Sequence, residues 1–95
     1  MRRAARTDGN HAAIASALRR VAIVLDCHGA PEMGCDLLVL TRGRVLFVEV
    51  KDGALPPSRR KLTEQEARVQ RLCRSAGVPY LVVGSVADAL AAVTG

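Results

Sequence analysis

The sequence predicts an α/β domain, a small mixed β-sheet flanked by helices in the order α-β-β-β-α-β-α, and three observations carry that prediction. Short apolar runs rich in β-branched residues alternate with segments whose apolar positions recur at helical spacing. Two of the runs are joined by Thr41-Arg42-Gly43-Arg44, which has the length and the glycine of a tight hairpin turn. Between the hairpin and the last run stands Thr63-Glu64-Gln65-Glu66, a helix-opening box, so the last strand is reached by a crossover expected to return parallel and right-handed. A chain of 95 residues supplies one hydrophobic core, so a single domain over 1–95 is expected, with a basic leader at 1–6.

The first helix is expected from an N-cap at Thr7 or Asp8 to about Arg20, with His11, Ile14, Ala15 and Leu18 on its inward face. Val21 to Leu25 reads as a strand, and Asp26 to Gly34, with its Gly and Pro, as a loop. Leu37 to Leu40 and Val45 to Val50 are apolar at nearly every position, the pattern of strands covered on both faces. Asp52 to Lys61, which contains Gly53, Pro56, Pro57 and the basic run Arg59-Arg60-Lys61, reads as an exposed loop. The boxed helix is expected to run to Ser75 or Ala76 and to stop at Gly77. Val78 to Val83 is the last strand, and Ser85-Val86-Ala87-Asp88 opens a short terminal helix ending near Val93.

Composition narrows the functions this fold can carry. Fourteen Lys and Arg against nine Asp and Glu give a net charge of +5, which on so small a body favours a polyanionic partner. Phe47 and Tyr80 are the only Phe, Tyr or Trp residues, so a platform on which successive bases stack is nearly excluded and affinity for nucleic acid would have to come from phosphate contacts. No apolar run approaches the ~18 residues of a membrane span, so no membrane partner is expected. Cys27, Cys35 and Cys73 are odd in number and lack CxxC spacing, which argues against a disulfide framework and for a reducing compartment. With no hydrophobic export signal after the basic start, the expected location is cytoplasmic.

Two carboxylates occupy strand positions that should be apolar. With Arg42 and Gly43 as the central turn residues, Asp36 falls opposite Glu49, and Lys51 shares the face of Glu49. Opposed like charges are destabilising unless a cation lies between them. Two acids and a lysine at a sheet rim suit a hard divalent ion such as Mg²⁺. Lys51 would then orient or deprotonate an attacking water, or neutralise charge developing on phosphate. The plainer alternative is a loop-capping Asp36 and an edge salt bridge between Glu49 and Lys51, and a one-residue bulge would turn Asp36 away from Glu49.

These residues also carry a family resemblance. Gly34-Cys35-Asp36-Leu37-Leu38-Val39, Phe47-Val48-Glu49-Val50-Lys51-Asp52 and Pro57-Ser58-Arg59-Arg60-Lys61-Leu62-Thr63-Glu64-Gln65 resemble the virus-type replication-repair nuclease (VRR-NUC) domain of the PD-(D/E)xK nuclease superfamily. The resemblance runs from Arg6 to Leu90 and implies a restriction-endonuclease-like core. It further implies metal binding by Asp36, Glu49 and the backbone carbonyl of Val50, Lys51 as the catalytic lysine, and Gln65 reaching the site from its helix. Small stand-alone members, associated with phages and bacteria, act as homodimers on branched DNA such as four-way (Holliday) junctions. Cys35 stands where the family usually has Pro, and His11 where many members place Glu or Gln.

His11 is therefore weighed both as a further metal ligand and as a hydrogen-bonded core histidine. A zinc reading of Cys27, His28 and Cys35 lacks a paired-ligand spacing. Arg59, Arg60 and Lys61, with Arg68, Arg71 and Arg74 on the following helix, set a basic rim beside the acids, read either as a solvated face or as a phosphate track. The expectation is a Mg²⁺- or Mn²⁺-dependent DNA endonuclease, homodimeric, with no small-molecule cofactor. A flap, nicking or defence nuclease and a non-catalytic DNA-binding subunit are the alternatives.

Overall fold

The computed structural model describes residues 10–59 and 61–95. The expected leader at 1–6, Thr7, Asp8 and Arg60 lie outside the described residues, as does the side chain of Arg59. The elements follow the expected order: α1 (His11–Arg19), β1 (Ile23–Asp26), β2 (Leu37–Thr41), β3 (Arg44–Val50), α2 (Glu64–Ala76), β4 (Tyr80–Val83) and α3 (Val86–Thr94). Single 3₁₀ turns interrupt the two long loops at Pro31–Met33 and Pro57–Arg59.

The sheet has the order β1-β2-β3-β4, antiparallel across the first three strands and parallel between β3 and β4. The hairpin closes on Arg42 and Gly43, both with positive φ (51° and 73°), the combination that a two-residue type I′ turn requires. That turn sets Thr41 opposite Arg44 and, four residues further along β2, Leu37 opposite Val48.

One sheet face carries the main core. Leu37, Val39, Leu46, Val48, Val50 and Val83 pack there against Ile14, Ala15 and Leu18 of α1 and Ala89 and Val93 of α3. The opposite face carries Phe47, Glu49 and Tyr80, and α2 lies over its β4 side with Val69 and Cys73 buried. The expectation of strands covered on both faces therefore holds only for part of the sheet. On the second face, away from α2, Ile23, Leu25 and Val45 remain 62%, 49% and 44% exposed, because a single helix about 10 Å wide covers only about two strands of the sheet.

Several boundaries differ from expectation. The N-cap position of α1 is Asn10 rather than Thr7 or Asp8, and the Asn10 side chain leaves its own helix to donate to the carbonyl of Gly84 at 2.7 Å. β1 starts at Ile23 because the amides of Val21 and Ala22 are still bonded to the carbonyl of Leu18 at the end of α1. Asp26 belongs to the strand rather than to the loop, and β4 starts at Tyr80, two residues after Val78. The ends of α2 follow the sequence closely. Thr63 and Glu66 form the reciprocal box, and Gly77 closes the helix in the left-handed region.

Candidate functional site

The proposed acids meet at the rim of the sheet, under the start of α2. His11, Asp36, Glu49, Val50, Lys51, Gln65 and Glu66 all line one cavity of about 360 Å³. Asp36 sits just beyond the β2 ladder. Its amide donates to the carbonyl of Val48 at 3.0 Å, the residue already opposite Leu37, so Asp36 and Leu37 both address Val48 in the manner of a β-bulge. The expected direct pairing of Asp36 with Glu49 is thus offset by one residue. The carboxylate nevertheless stays in the site, because Asp36 Oδ2 accepts from the amide of Val50 at 2.9 Å, replacing a backbone acceptor where the ladder stops.

That contact sets a stability role apart from any chemistry. Asp36→Ala leaves the amide of the buried Val50 without a partner and should cost about 1–3 kcal/mol, whereas Asp36→Asn keeps an acceptor oxygen and should cost less. Urea unfolding of the two variants in chelator measures the difference, and equal losses would show that the hydrogen bond carries no weight.

Glu49 is 3% exposed, and its Oε1 is buried without a hydrogen-bond partner. Burial, followed by the charge of Asp36 and the neighbouring Glu66 carboxylate, pushes its pKa up to about 9. Lys51 opposes this shift: its Nζ lies 3.3 Å from Glu49 Oε2 and 3.1 Å from Glu66 Oε1. Burial works against the Lys51 ammonium, but its contacts with Glu66 and Glu49 outweigh that cost and hold its pKa above the ordinary lysine value.

Glu66 has a second contact, and of the two only this one is legible in the sequence. The same Oε1 accepts from the amide of Thr63 at 2.8 Å as the return bond of the α2 capping box. Sequence spacing identifies the cap, but the contact with Lys51 spans 15 residues and depends on how α2 sits over β3. Gln65 lines the cavity and donates from Nε2 to the carbonyl of Glu32 at 3.0 Å, tying α2 to the 3₁₀ turn before Asp36. Tyr80 fastens the same loop, its hydroxyl donating to the carbonyl of Gly34 at 2.6 Å while its ring stacks with Phe47.

His11 is inward, 8% exposed, with Nε2 3.6 Å from Asp26 Oδ2 and its ring edge-on to His28. Asp26 is itself aimed by the amide of His28, which donates to Oδ1 at 2.8 Å and leads the causes that hold the Asp26 pKa below its usual value. Asp26, which the sequence places at the start of the loop, bears on the site only through His11. Cys35 is buried and its thiol is pushed up to about 12, chiefly by burial, so it is a protonated core residue. Among the basic candidates, Lys61, Arg68, Arg71 and Arg74 are exposed.

The donors suit a hard divalent ion. Two carboxylates on adjacent strands, one with an unpartnered buried oxygen, beside the main chain of Val50, form an oxygen-rich notch. Among the described residues no three His, Cys, Asp or Glu side chains form a ready-made metal cage. An ion of the Mg²⁺ type does not need one, since it keeps several waters and takes one or two carboxylates. A zinc centre at Cys27, His28 and Cys35 does need one.

No family model matches the chain, and no curated protein matches it. A solved structure described as a "VRR_NUC domain" does match, at 29% identity and a TM-score of 0.57, over 83% of this chain and 84% of that one. The strand order and this match agree: the chain is similar to a VRR-NUC domain and shares its restriction-endonuclease-like fold, and the match supports a nuclease-type function.

Proposed function

We propose that the protein is a metal-dependent endodeoxyribonuclease acting on branched DNA such as Holliday junctions, as a homodimer. The observation that carries the reading is the buried, unpartnered oxygen of Glu49, held beside Asp36 in an open cavity with the Lys51 ammonium against it. A carboxylate with no donor to satisfy it is a costly thing to bury unless a cation completes it.

In this reading Asp36, Glu49 and the carbonyl of Val50 hold Mg²⁺ or Mn²⁺, with His11 as an additional ligand aimed by Asp26. The ion, when bound, supplies Lewis-acid polarisation of the scissile phosphate and a lowered pKa for the attacking water. Lys51 holds its ammonium at the cavity wall, where it neutralises charge that develops on the phosphate. Gln65 fixes the loop before Asp36 and so the placement of that acid. Phosphate contacts are assigned to Arg59, Arg60, Lys61, Arg68 and Arg71 from the basic pattern of the sequence.

Branched substrates and a dimer are supported by two features. The apolar strip of Ile23, Leu25 and Val45 lies on the same sheet face as Glu49, and covering it with a second copy would bring two sites onto one DNA. The net charge of +5 suits a partner with several phosphates in reach. A panel of labelled four-way junction, flap, nicked duplex and plain duplex, with Mn²⁺ present, tests the substrate. Paired incisions in the junction by a dimer in gel filtration are expected, and a monomer that prefers flaps would overturn this reading in favour of a flap nuclease.

The basic helix face makes a separate prediction. Arg68→Ala with Arg71→Ala should weaken binding alike for all DNA sequences and lower the slope of log affinity against log salt by about 1.8, as loss of two phosphate contacts requires. An unchanged slope in a salt titration would show that α2 does not touch the backbone.

A further inference from the structure

We propose that Glu66 is a positioning residue for the nuclease site, drawing the Lys51 ammonium toward α2 so that Glu49 is left free to take a cation. The inference rests on the metal-dependent reading above and adds a residue to it. Lys51 Nζ has two carboxylate neighbours, and the nearer is Glu66 Oε1 at 3.1 Å, against 3.3 Å to Glu49 Oε2. The Glu66 contact meets hydrogen-bond geometry; Glu49 keeps its Oε1 without any donor.

Glu66 is itself held on the site side of its helix. Its Oε1 accepts the Thr63 amide at 2.8 Å while its own amide donates to Thr63 Oγ1 at 3.1 Å, so both ends of the residue are fixed by the first turn of α2. One carboxylate oxygen therefore serves the helix start and the lysine together. The rigid cap gives the flexible lysine a defined resting place, and a long side chain with four rotatable bonds needs one to be ready in a single geometry.

Without the Glu66 charge, Lys51 has one anionic partner left within reach, Glu49, and would compete with a divalent ion for it. Glu66→Gln isolates this effect. The amide oxygen of Gln still accepts the Thr63 amide, since Gln serves as well as Glu in a capping box, but the charge that holds Lys51 is gone.

Calorimetric titration of the metal-free protein with Mn²⁺ reads the result directly. Glu66→Gln should weaken Mn²⁺ binding about tenfold, the low end of what partners of metal-site side chains contribute, with its melting temperature in chelator close to wild type. In a Lys51→Met background the same substitution should lose most of its effect, because the competing ammonium is gone. With labelled DNA, the loss in Glu66→Gln should appear in kcat, with KM for DNA unchanged.

Wild-type Mn²⁺ binding that Glu66→Gln leaves unaltered would overturn the positioning role while leaving the nuclease reading intact. So would an equal loss with and without Lys51, which would mark Glu66 as acting on the ion by its own charge. Absence of Mn²⁺ binding by wild type would remove the nuclease reading and this one with it. Should Glu66→Gln fail to fold, Lys51→Met in the native Glu66 background decides alone. The inference expects its Mn²⁺ affinity to stay near the wild-type value, and a large gain would show that Lys51 competes for Glu49 even with Glu66 present.

Discussion

Glu49→Gln is expected to abolish cleavage and, in the absence of metal, to make the protein more stable. The two effects share one cause. Glu49 is buried with an unpartnered oxygen, and burial together with Asp36 and Glu66 raises its pKa from 4.5 to about 9. The folded protein thus binds a proton at this site that the unfolded chain releases between those two values. Stability must fall as pH rises through the window, because the unfolded state is the one that gives up the proton.

A glutamine stays neutral throughout and escapes that loss. At pH 5 the variant and wild type should melt together; near pH 8.5 in chelator the variant should be ahead by about 1–3 kcal/mol, the cost of a buried group without its partner. For a domain of this size that is about 5–15 °C in melting temperature. Added Mn²⁺ should reverse the order by stabilising wild type alone. Cleavage should drop about 10³-fold or more, since several kcal/mol of transition-state stabilisation depend on the ion this carboxylate would hold. Equal melting temperatures at both pH values would show that Glu49 is an ordinary solvated acid.

Gly34→Ala should cause the largest loss of stability from a single methyl group. Gly34 closes the 3₁₀ turn with φ +64°, a region where a Cβ is strained, and the added carbon would lie 2.7 Å from Val69 Cβ and 3.2 Å from the carbonyl oxygen of Gln65. Both neighbours belong to α2, so the helix must shift outward from the loop that carries Asp36, or the loop must pull against the Tyr80 hydroxyl that holds the Gly34 carbonyl. Overpacking and backbone strain together predict a loss of about 2–4 kcal/mol, read from the midpoint of urea unfolding. Val69→Ala removes the Cγ atoms but keeps the Cβ that the added carbon meets, so it should recover only part of the packing share and leave the strain, a coupling that a double-mutant cycle isolates. A loss below about 0.5 kcal/mol would mean that α2 sits on the loop less tightly than Gly34 requires.

Both predictions concern contacts that local sequence could not show. The hairpin, by contrast, was legible. A two-residue turn at Arg42-Gly43 fixes the register of every pair behind it, and alternation then assigns Leu37, Val39, Leu46 and Val48 to the core face. The α2 helix was legible for the same reason, since Thr63, Glu66 and Gly77 act within their own turns. Asp36 was located to within one residue of its ladder position, but the bulge that offsets it is a backbone event that residue spacing does not encode.

What the sequence withheld is long-range. Asn10 stands at the N-cap of α1, where the sequence pointed to Thr7 or Asp8, and its carboxamide bonds to Gly84, 74 residues away. Asp26 reads as a loop residue until the fold brings His11 beside it. Glu66 reads as a cap until Lys51 arrives from the end of β3. The open strip of Ile23, Leu25 and Val45 was hidden because an apolar run looks the same whether a helix of the same chain covers it or another surface does.

The proposed activity depends on a divalent ion held by Asp36 and Glu49, and one assay reads that dependence directly. A labelled four-way junction is incubated with the protein in Mn²⁺ and in chelator, with Glu49→Gln alongside. Cleavage by wild type only when Mn²⁺ is present, and none by Glu49→Gln under either condition, is the expected result. Cleavage that survives chelation, or junction binding without cleavage by wild type in Mn²⁺, would contradict it.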